Sequence, residues 1–170
     1  MNLKRGDDYE SADIFIPAAC DEDLKRIAGL AEKSGISILL PSSGRIRSII
    51  WWKKFQSYPA LKEQTENDGY EYYQIFCGQD LAGYTGIHPE TDALFLSKLY
   101  IHKDFRGRHL ATEAFHFLTG LCRERGLKKI WLTCNKHNEN TLQIYRHLGF
   151  EVTDTQEADI GAGLSWMITL

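Results

Sequence analysis

Leu99-Tyr100-Ile101-His102-Lys103-Asp104-Phe105-Arg106-Gly107-Arg108-His109-Leu110-Ala111 constrains this chain more than any other stretch. An apolar strand runs into a short basic loop and then directly into the apolar pattern of a helix. The first N–H groups of such a helix have no intrahelical partner, and the macrodipole places partial positive charge there. Arg106 and Arg108 beside them strengthen an anion site. Residues 98–129 hold eight Lys/Arg against three acids, a net of +5, in a chain whose formal charge is -3. A locally positive field in an acidic protein suits a polyanionic small ligand. Taken alone, the basic residues read slightly better as an ordinary solvated helix face. No G-x-x-x-x-G-K-[ST] is present, and no G-x-G-x-x-G follows a strand, so an NTPase and a dinucleotide fold have no support.

The rest of the composition sets bounds. A length of 170 residues suits a single domain over 1–170, and 43% hydrophobic residues exclude intrinsic disorder. A pI of about 6.1 argues against nucleic acid as a partner. No apolar run approaches the roughly 20 residues of a membrane span. The first residues turn acidic at Asp7-Asp8, where a signal peptide would need an apolar run. Cys20, Cys77, Cys122 and Cys134 are scattered with no C-x-x-C, which reads as reduced thiols in a cytoplasmic protein.

The periodicity alternates. Asp13 to Ala18 predicts a strand, and Asp21 a cap for a helix carrying Leu24, Ile27, Ala28 and Ala31. Pro41 to Gly44 is a break, and helical spacing then runs from Ile46 to Tyr58-Pro59. Tyr70–Cys77, Leu81–His88 and Ala93–His102 predict strands, the first two joined by a hairpin at Gly78-Gln79-Asp80. Ala111 to Cys122 is an amphipathic helix with Gly126 as its C-cap residue. Ile130–Cys134 predicts a strand, Leu142 to Leu148 a helix ending at Gly149, and Phe150–Thr153 and Leu164–Leu170 two further strands. The expected fold is α/β, of the α+β kind: a mixed, mostly antiparallel central sheet with flanking helices.

Downstream of the basic loop comes Asn138-Glu139-Asn140-Thr141-Leu142-Gln143-Ile144-Tyr145-Arg146-His147-Leu148-Gly149-Phe150. Together the two segments resemble the signatures of the GCN5-related N-acetyltransferase (GNAT) superfamily. Arg106 to Ala111 is similar to its R-x-x-G-x-[GA] pyrophosphate loop. Asn138, Tyr145, Gly149 and Phe150 match its N-x(6)-Y-x(3)-G-F helix and strand. The signatures lie within 94–150. Residues 159–167 are similar to the last hairpin of bacterial members, including small-molecule and polyamine acetyltransferases. One position departs: the fourth of the loop is usually Gly and is here His109.

The resemblance implies an acetyl-CoA site in a splay between Ala93–His102 and Ile130–Cys134 (the fourth and fifth strands). Backbone groups of Leu99, Tyr100 and Ile101 would pair with the pantetheine arm. Arg106, Gly107, Arg108, His109, Leu110, Ala111 and Thr112 would hold the pyrophosphate, and Asn138 would bond the pantetheine. The implied chemistry is direct attack of an amine on the thioester. Tyr100 N–H would meet the developing oxyanion, and the Tyr145 hydroxyl would protonate the departing sulfur. The carboxylate base that many relatives carry on the central strand is missing, since Phe95 and Ser97 stand there. His88 or an ordered water is left to take the proton. Trp51 and Trp52 border the expected acceptor cleft.

The expected acceptor is a small-molecule primary amine, a polyamine among them, because the acidic tail (Glu151, Asp154, Glu157, Asp159) could attract a cation. Alternatives are acetylation of a protein N-terminus or lysine, and a catalytically silent acyl-CoA-binding regulator. Tyr145 alone would read as a core tyrosine, and Cys134 as a buried thiol. His109 and His116 lack a third ligand, so no metal is expected. A homodimer is compatible with all of this, and no membrane or nucleic-acid partner is expected.

Overall fold

The computed structural model of the protein describes residues 15–38, 54–135, 139–159 and 164–169. In chain order these form β1 (Phe15–Pro17), α1 (Asp21–Ile38), α2 (Tyr58–Glu66), β2 (Glu71–Cys77), β3 (Asp80–Pro89) and β4 (Ala93–Ile101). A 3₁₀ turn (Lys103–Phe105) leads to α3 (Leu110–Arg125), β5 (Lys129–Trp131), β6 (Thr133–Asn135), α4 (Glu139–His147), β7 (Asp154–Asp159) and β8 (Leu164–Thr169). One sheet has the order β1-β2-β3-β4-β5, antiparallel except for the β4–β5 pair. A second sheet has the order β6-β8-β7.

The five-stranded sheet buries both faces, each under a pair of helices. On one face Leu94 and Leu96 of β4 pack with Leu118 and Cys122 of α3 and Leu142 of α4. On the other, Tyr72 and Tyr84 pack with Leu24, Ile27, Ala28 and Ala31 of α1 and Leu61 of α2. Strands covered on both faces explain why Ala93–Ile101 reads as a nearly continuous apolar run rather than an alternating one. Arg125 at the end of α3 makes a bidentate bond to Glu71 of β2, at 2.6 and 2.8 Å, which ties helix to sheet and holds the Glu71 carboxyl below its ordinary range.

Four local expectations are corrected. Asp21 is the first residue of α1, not its cap, and its carboxylate binds Lys62 of α2 at 3.0 Å. Asp23, inside the first turn, reaches back instead, accepting from the Ala19 and Cys20 N–H groups that precede the helix at 3.1 and 3.3 Å. Pro59 opens α2 rather than closing a helix, because proline lacks only an N–H that the first turn leaves unpaired anyway. Phe150–Thr153 is not a strand; pairing resumes at Asp154. Finally, Ile130–Cys134 is not one strand but two short ones, divided at Leu132 and belonging to different sheets. The expected break at 41–44, the helical stretch from Ile46 as far as Lys53, Trp51, Trp52 and Asn138 lie outside the described residues.

Candidate active site

The division at Leu132 makes the site. β5 pairs with β4 only where Ala93–Phe95 face Lys129–Trp131. The chain then leaves β4, and β6 pairs with β8. From Leu96 to Ile101 that edge of β4 has no strand beside it among the described residues, and a wedge opens between β4 and β6. A bulge sits at the mouth of the wedge: Gly86 faces Lys98 and Ile87 faces Leu96, so Ser97 is the extra residue. Bulges increase local twist and turn an edge away from its neighbour.

The register also decides which backbone groups line the wedge. His102 N–H donates to the Ala82 carbonyl at 2.7 Å, in line with the pairing of Gly83 with Ile101 and Tyr84 with Tyr100. Bonded and non-bonded pairs alternate in an antiparallel ladder. The polar backbone groups of Tyr100 therefore face β3, and those of Leu99 and Ile101 face the wedge. Arg106 Nε takes up the Ile101 carbonyl at 3.2 Å, as this parity requires. Tyr100 N–H, expected to meet the oxyanion, thus points to β3, and Leu99 N–H points into the wedge. The chemistry is unchanged, but alternate residues of a strand present their N–H groups to opposite edges.

Beyond Ile101 the chain makes its 3₁₀ turn, with His102 Nδ1 accepting from Asp104 N–H at 3.3 Å. Arg106, Gly107, Arg108 and His109 are all exposed. Arg108 lies over the Phe105 ring, its guanidinium carbon 5.5 Å from the centroid. Gly107 (φ 77°) and His109 (φ 61°) both adopt the left-handed conformation, His109 being the one non-glycine described residue to do so. Left-handed residues in a tight turn fold successive N–H groups into an anion-binding concavity. His109 is the N-cap of α3 and makes no side-chain capping bond. Hence no cap side chain covers the first-turn N–H groups of Leu110, Ala111 and Thr112, and they stay available to an anion. The glycine expected at His109 from the resemblance has a backbone reason: the position adopts positive φ.

Tyr145 stands on α4, against Phe150 with ring centroids 5.5 Å apart, and packs on the core with Leu148. Burial, with a smaller contribution from the Cys134 thiol on β6, pushes its hydroxyl up to about 12. At neutral pH Tyr145 keeps its proton, beside the β6 wall of the wedge. The uncapped N–H groups of the loop could meet an anion, and the open edge could pair with an extended arm.

The opposite face of β4 holds a group that sequence reasoning missed. Lys98, half-buried, donates to Gln64 Oε1 of α2 at 2.8 Å and to the Tyr72 hydroxyl of β2 at 2.6 Å. Tyr72 in turn donates to Gln64 Oε1 at 2.5 Å. Gly86 makes this reach feasible, since a Cβ there would lie 2.6 Å from a Tyr72 ring carbon. Desolvation lowers Lys98 from the ordinary 10.5 to about 8. The available signal was a lone cation inside the longest apolar run of the chain. His88 lies on the same side, its ring 5.0 Å from that of Tyr70, but opposite Phe95 at the paired end of β4. At about 3.3 Å per residue that is about 10 Å along the strand from Lys98.

Comparison with known proteins fits this geometry. Residues 43–150 match the model of the Acetyltransferase (GNAT) family. The N-acetyltransferase YjgM of Escherichia coli is 30% identical over 90 residues, which span 51% of this chain and 54% of that protein. YdgE of Bacillus subtilis, also named an N-acetyltransferase, is 31% identical over 68 residues, 40% of this chain and 43% of its own length. The matches thus span about half the length of these curated relatives. Among solved structures, the PaiA N-acetyltransferase of Thermoplasma acidophilum, in complex with coenzyme A, superposes with a TM-score of 0.68 at 15% identity. It covers 91% of this chain and 97% of its own. An acetyltransferase from Thermus thermophilus gives 0.59 at 19% identity, covering 92% and 94%. With the wedge, the bulge and the loop in these places, and the family matched over residues 43–150, the chain belongs to the GNAT acetyltransferase family.

Proposed function

We propose that this protein is an acetyl-CoA-dependent N-acetyltransferase acting by direct attack of a small molecule's primary amine. The observation that carries the reading is the open edge of β4, which runs without interruption into the left-handed loop and the uncapped start of α3. Acetyl-CoA supplies the activated acetyl group. The chain's part is to hold and polarise it. Leu99 and Ile101 offer their backbone groups to the pantetheine arm as an added strand would. N–H groups from Gly107 to Thr112, with Arg106 beside them, take the pyrophosphate, and Asn138 is assigned to the pantetheine on its place in the motif. Leu99 N–H points into the wedge where negative charge would gather on oxygen, and such donors are worth most in a site shielded from water. Tyr145, protonated at neutral pH, gives its proton to the departing sulfur. His88, directly or through water, takes the proton of the acceptor amine. A polyamine would be drawn by the acidic tail but would meet Lys98 on the acceptor face, so a monoamine is favoured.

Acetyl-CoA should raise the melting temperature by mass action, and NAD or ATP at equal concentration should do clearly less. If ATP matches it, only a generic anion site remains. Thiol release over a panel of amines and peptides measures turnover. Tyr145→Phe should keep the thermal shift while kcat and kcat/KM fall together, by on the order of 10²-fold. An unchanged kcat where chemistry limits turnover would return Tyr145 to the core. The missing carboxylate at Phe95 and Ser97 favours one rival, a regulator that binds acyl-CoA silently. Stabilisation with no thiol release on any acceptor would establish it.

A further inference from the structure

Lys98 is a half-buried cation on the acceptor side of β4, and no acid among the described residues pairs with it. Its partners are neutral: Gln64 Oε1, the Tyr72 hydroxyl and, at 3.5 Å, Ser97 Oγ. The first two are well-formed bonds, but the third is at the limit of hydrogen bonding. The third ammonium N–H donor is thus only weakly engaged, by Ser97 Oγ. Residues 39–53, between α1 and α2, contain Arg45, Arg47 and Lys53 and no acid, so that segment offers no carboxylate either. A cation removed from water without a counter-charge is costly, and structures that retain one normally supply its partner.

The surroundings say what kind of partner. Nζ lies 5.4 and 5.1 Å from the ring centroids of Tyr70 and Tyr72, which flank it. A single weakly engaged donor suits a two-oxygen anion better than a phosphate, whose three oxygens need several donors. Position matters as much as charge. Lys98 adjoins both the bulge at Ser97 and Leu99, whose N–H lines the wedge from the other side of the same strand. A molecule anchored at Nζ would therefore have its other end close to the acyl group held in the wedge.

We propose that Lys98, set by Gln64 and Tyr72, is the subsite for a carboxylate on the acceptor, and that the substrate class is a small amine that also carries a carboxylate. This rests on the transferase reading above and deepens it. Binding the anion supplies a counter-charge that no described residue gives, and leaves the amine end for the thioester. A diamine of the same length would instead bring a second ammonium against Lys98.

The test uses three acceptors of one chain length: an ω-amino acid, its amide and the corresponding diamine, across several lengths, with thiol release from acetyl-CoA as the readout. The expected order of kcat/KM is carboxylate, then amide, then diamine, with at least tenfold between the first two at the best length. In Lys98→Met that ratio should collapse to within about threefold, chiefly through a higher KM for the carboxylate. Lys98→Arg should restore part of it. The acetyl-CoA thermal shift, retained in both variants, confirms folding and an intact coenzyme site. Should the wild type prefer the diamine or amide, or the preference survive in Lys98→Met, the subsite is wrong while the transferase stands. Should no acceptor of any kind release thiol although acetyl-CoA binds, the transferase reading fails and takes the subsite with it.

Discussion

In the proposed reading, the edge and the face of β4 solve two recognition problems with different materials. The edge is backbone: Leu99 and Ile101 present their N–H and C=O groups to the wedge, and the left-handed loop and uncapped helix beyond continue the row. Any chain that bends this way offers nearly the same groups, so the edge can be shared by proteins of very different sequence. The face is side chain: Lys98 from β4, Tyr72 from β2 and Gln64 from α2 meet in one hydrogen-bonded cluster. Changing one of them changes the charge or shape offered to an acceptor without disturbing the edge. A common group donor and a variable acceptor call for that division.

The division can be broken most forcefully at Leu99. Its N–H faces the wedge rather than β3, so proline there removes the proposed oxyanion donor while sparing a ladder bond. Leu99→Ala is the matched control, since it loses the same packing against the core but keeps the N–H. Steady-state kinetics should put Leu99→Pro on the order of 10²- to 10³-fold below Leu99→Ala in kcat, the range for losing one such donor. Circular dichroism checks that both fold. Equal rates in the two variants would show that the edge works through side chains after all.

Most of the edge was legible in the sequence, because its signals are local. Arg106, Gly107 and the start of α3 follow one another within a few residues, and the strand before them is announced by its own apolar run. The parity of that strand was not. Whether Tyr100 or Leu99 faces the wedge depends on which pairs with β3 carry the bonds, and shifting by one residue exchanges the answers. The break at Leu132 was hidden for a similar reason: Ile130 to Cys134 is uniformly apolar or small, and only the competing pull of β8 divides it. β7 was missed because Asp154 to Asp159 is polar for a strand, as suits one paired on a single side. The face was the least legible part. Lys98 lies 26 and 34 residues from Tyr72 and Gln64 in sequence, and a space cleared by Gly86 lets it reach Tyr72.

A smaller effect separates Lys98 as a functional group from Lys98 as a structural one. Its ammonium is depressed to about 8 by desolvation, from 10.5 in the ordinary state. Between those values the unfolded chain binds the extra proton, so this group makes stability rise with pH from 8 to 10.5. Below pH 8 both states are protonated and the folded one bears the whole penalty. The hydroxyls of Tyr70 and Tyr72 beside it are both held above the ordinary tyrosine range, so up to about pH 10 Lys98 changes charge before they do. Lys98→Met should therefore be more stable than wild type at pH 7, by about 1 kcal/mol once solvent screening of a half-buried group is allowed for. In urea titrations the gain should shrink steadily between pH 8 and 10.5. A variant less stable at every pH would mark Lys98 as a structural tether of α2.

His109 tests the edge where the expected change is slightest. It holds φ at 61°, a conformation that carries a steric cost of roughly 1 kcal/mol for a residue with a Cβ and none for glycine. Glycine also gives the unfolded chain more freedom, which offsets part of that gain. Replacing His109 by Gly should thus raise the melting temperature by no more than about 3 °C, with α3 otherwise undisturbed because the imidazole makes no capping bond. Acetyl-CoA affinity should hold or tighten, since the N–H groups that would meet the pyrophosphate belong to the backbone and keep their directions. Calorimetric titration gives the answer directly. A tenfold loss of affinity, about 1.4 kcal/mol, would mean that the imidazole itself binds phosphate. The edge would then depend on a side chain at one point, and its separation from the face would be incomplete there.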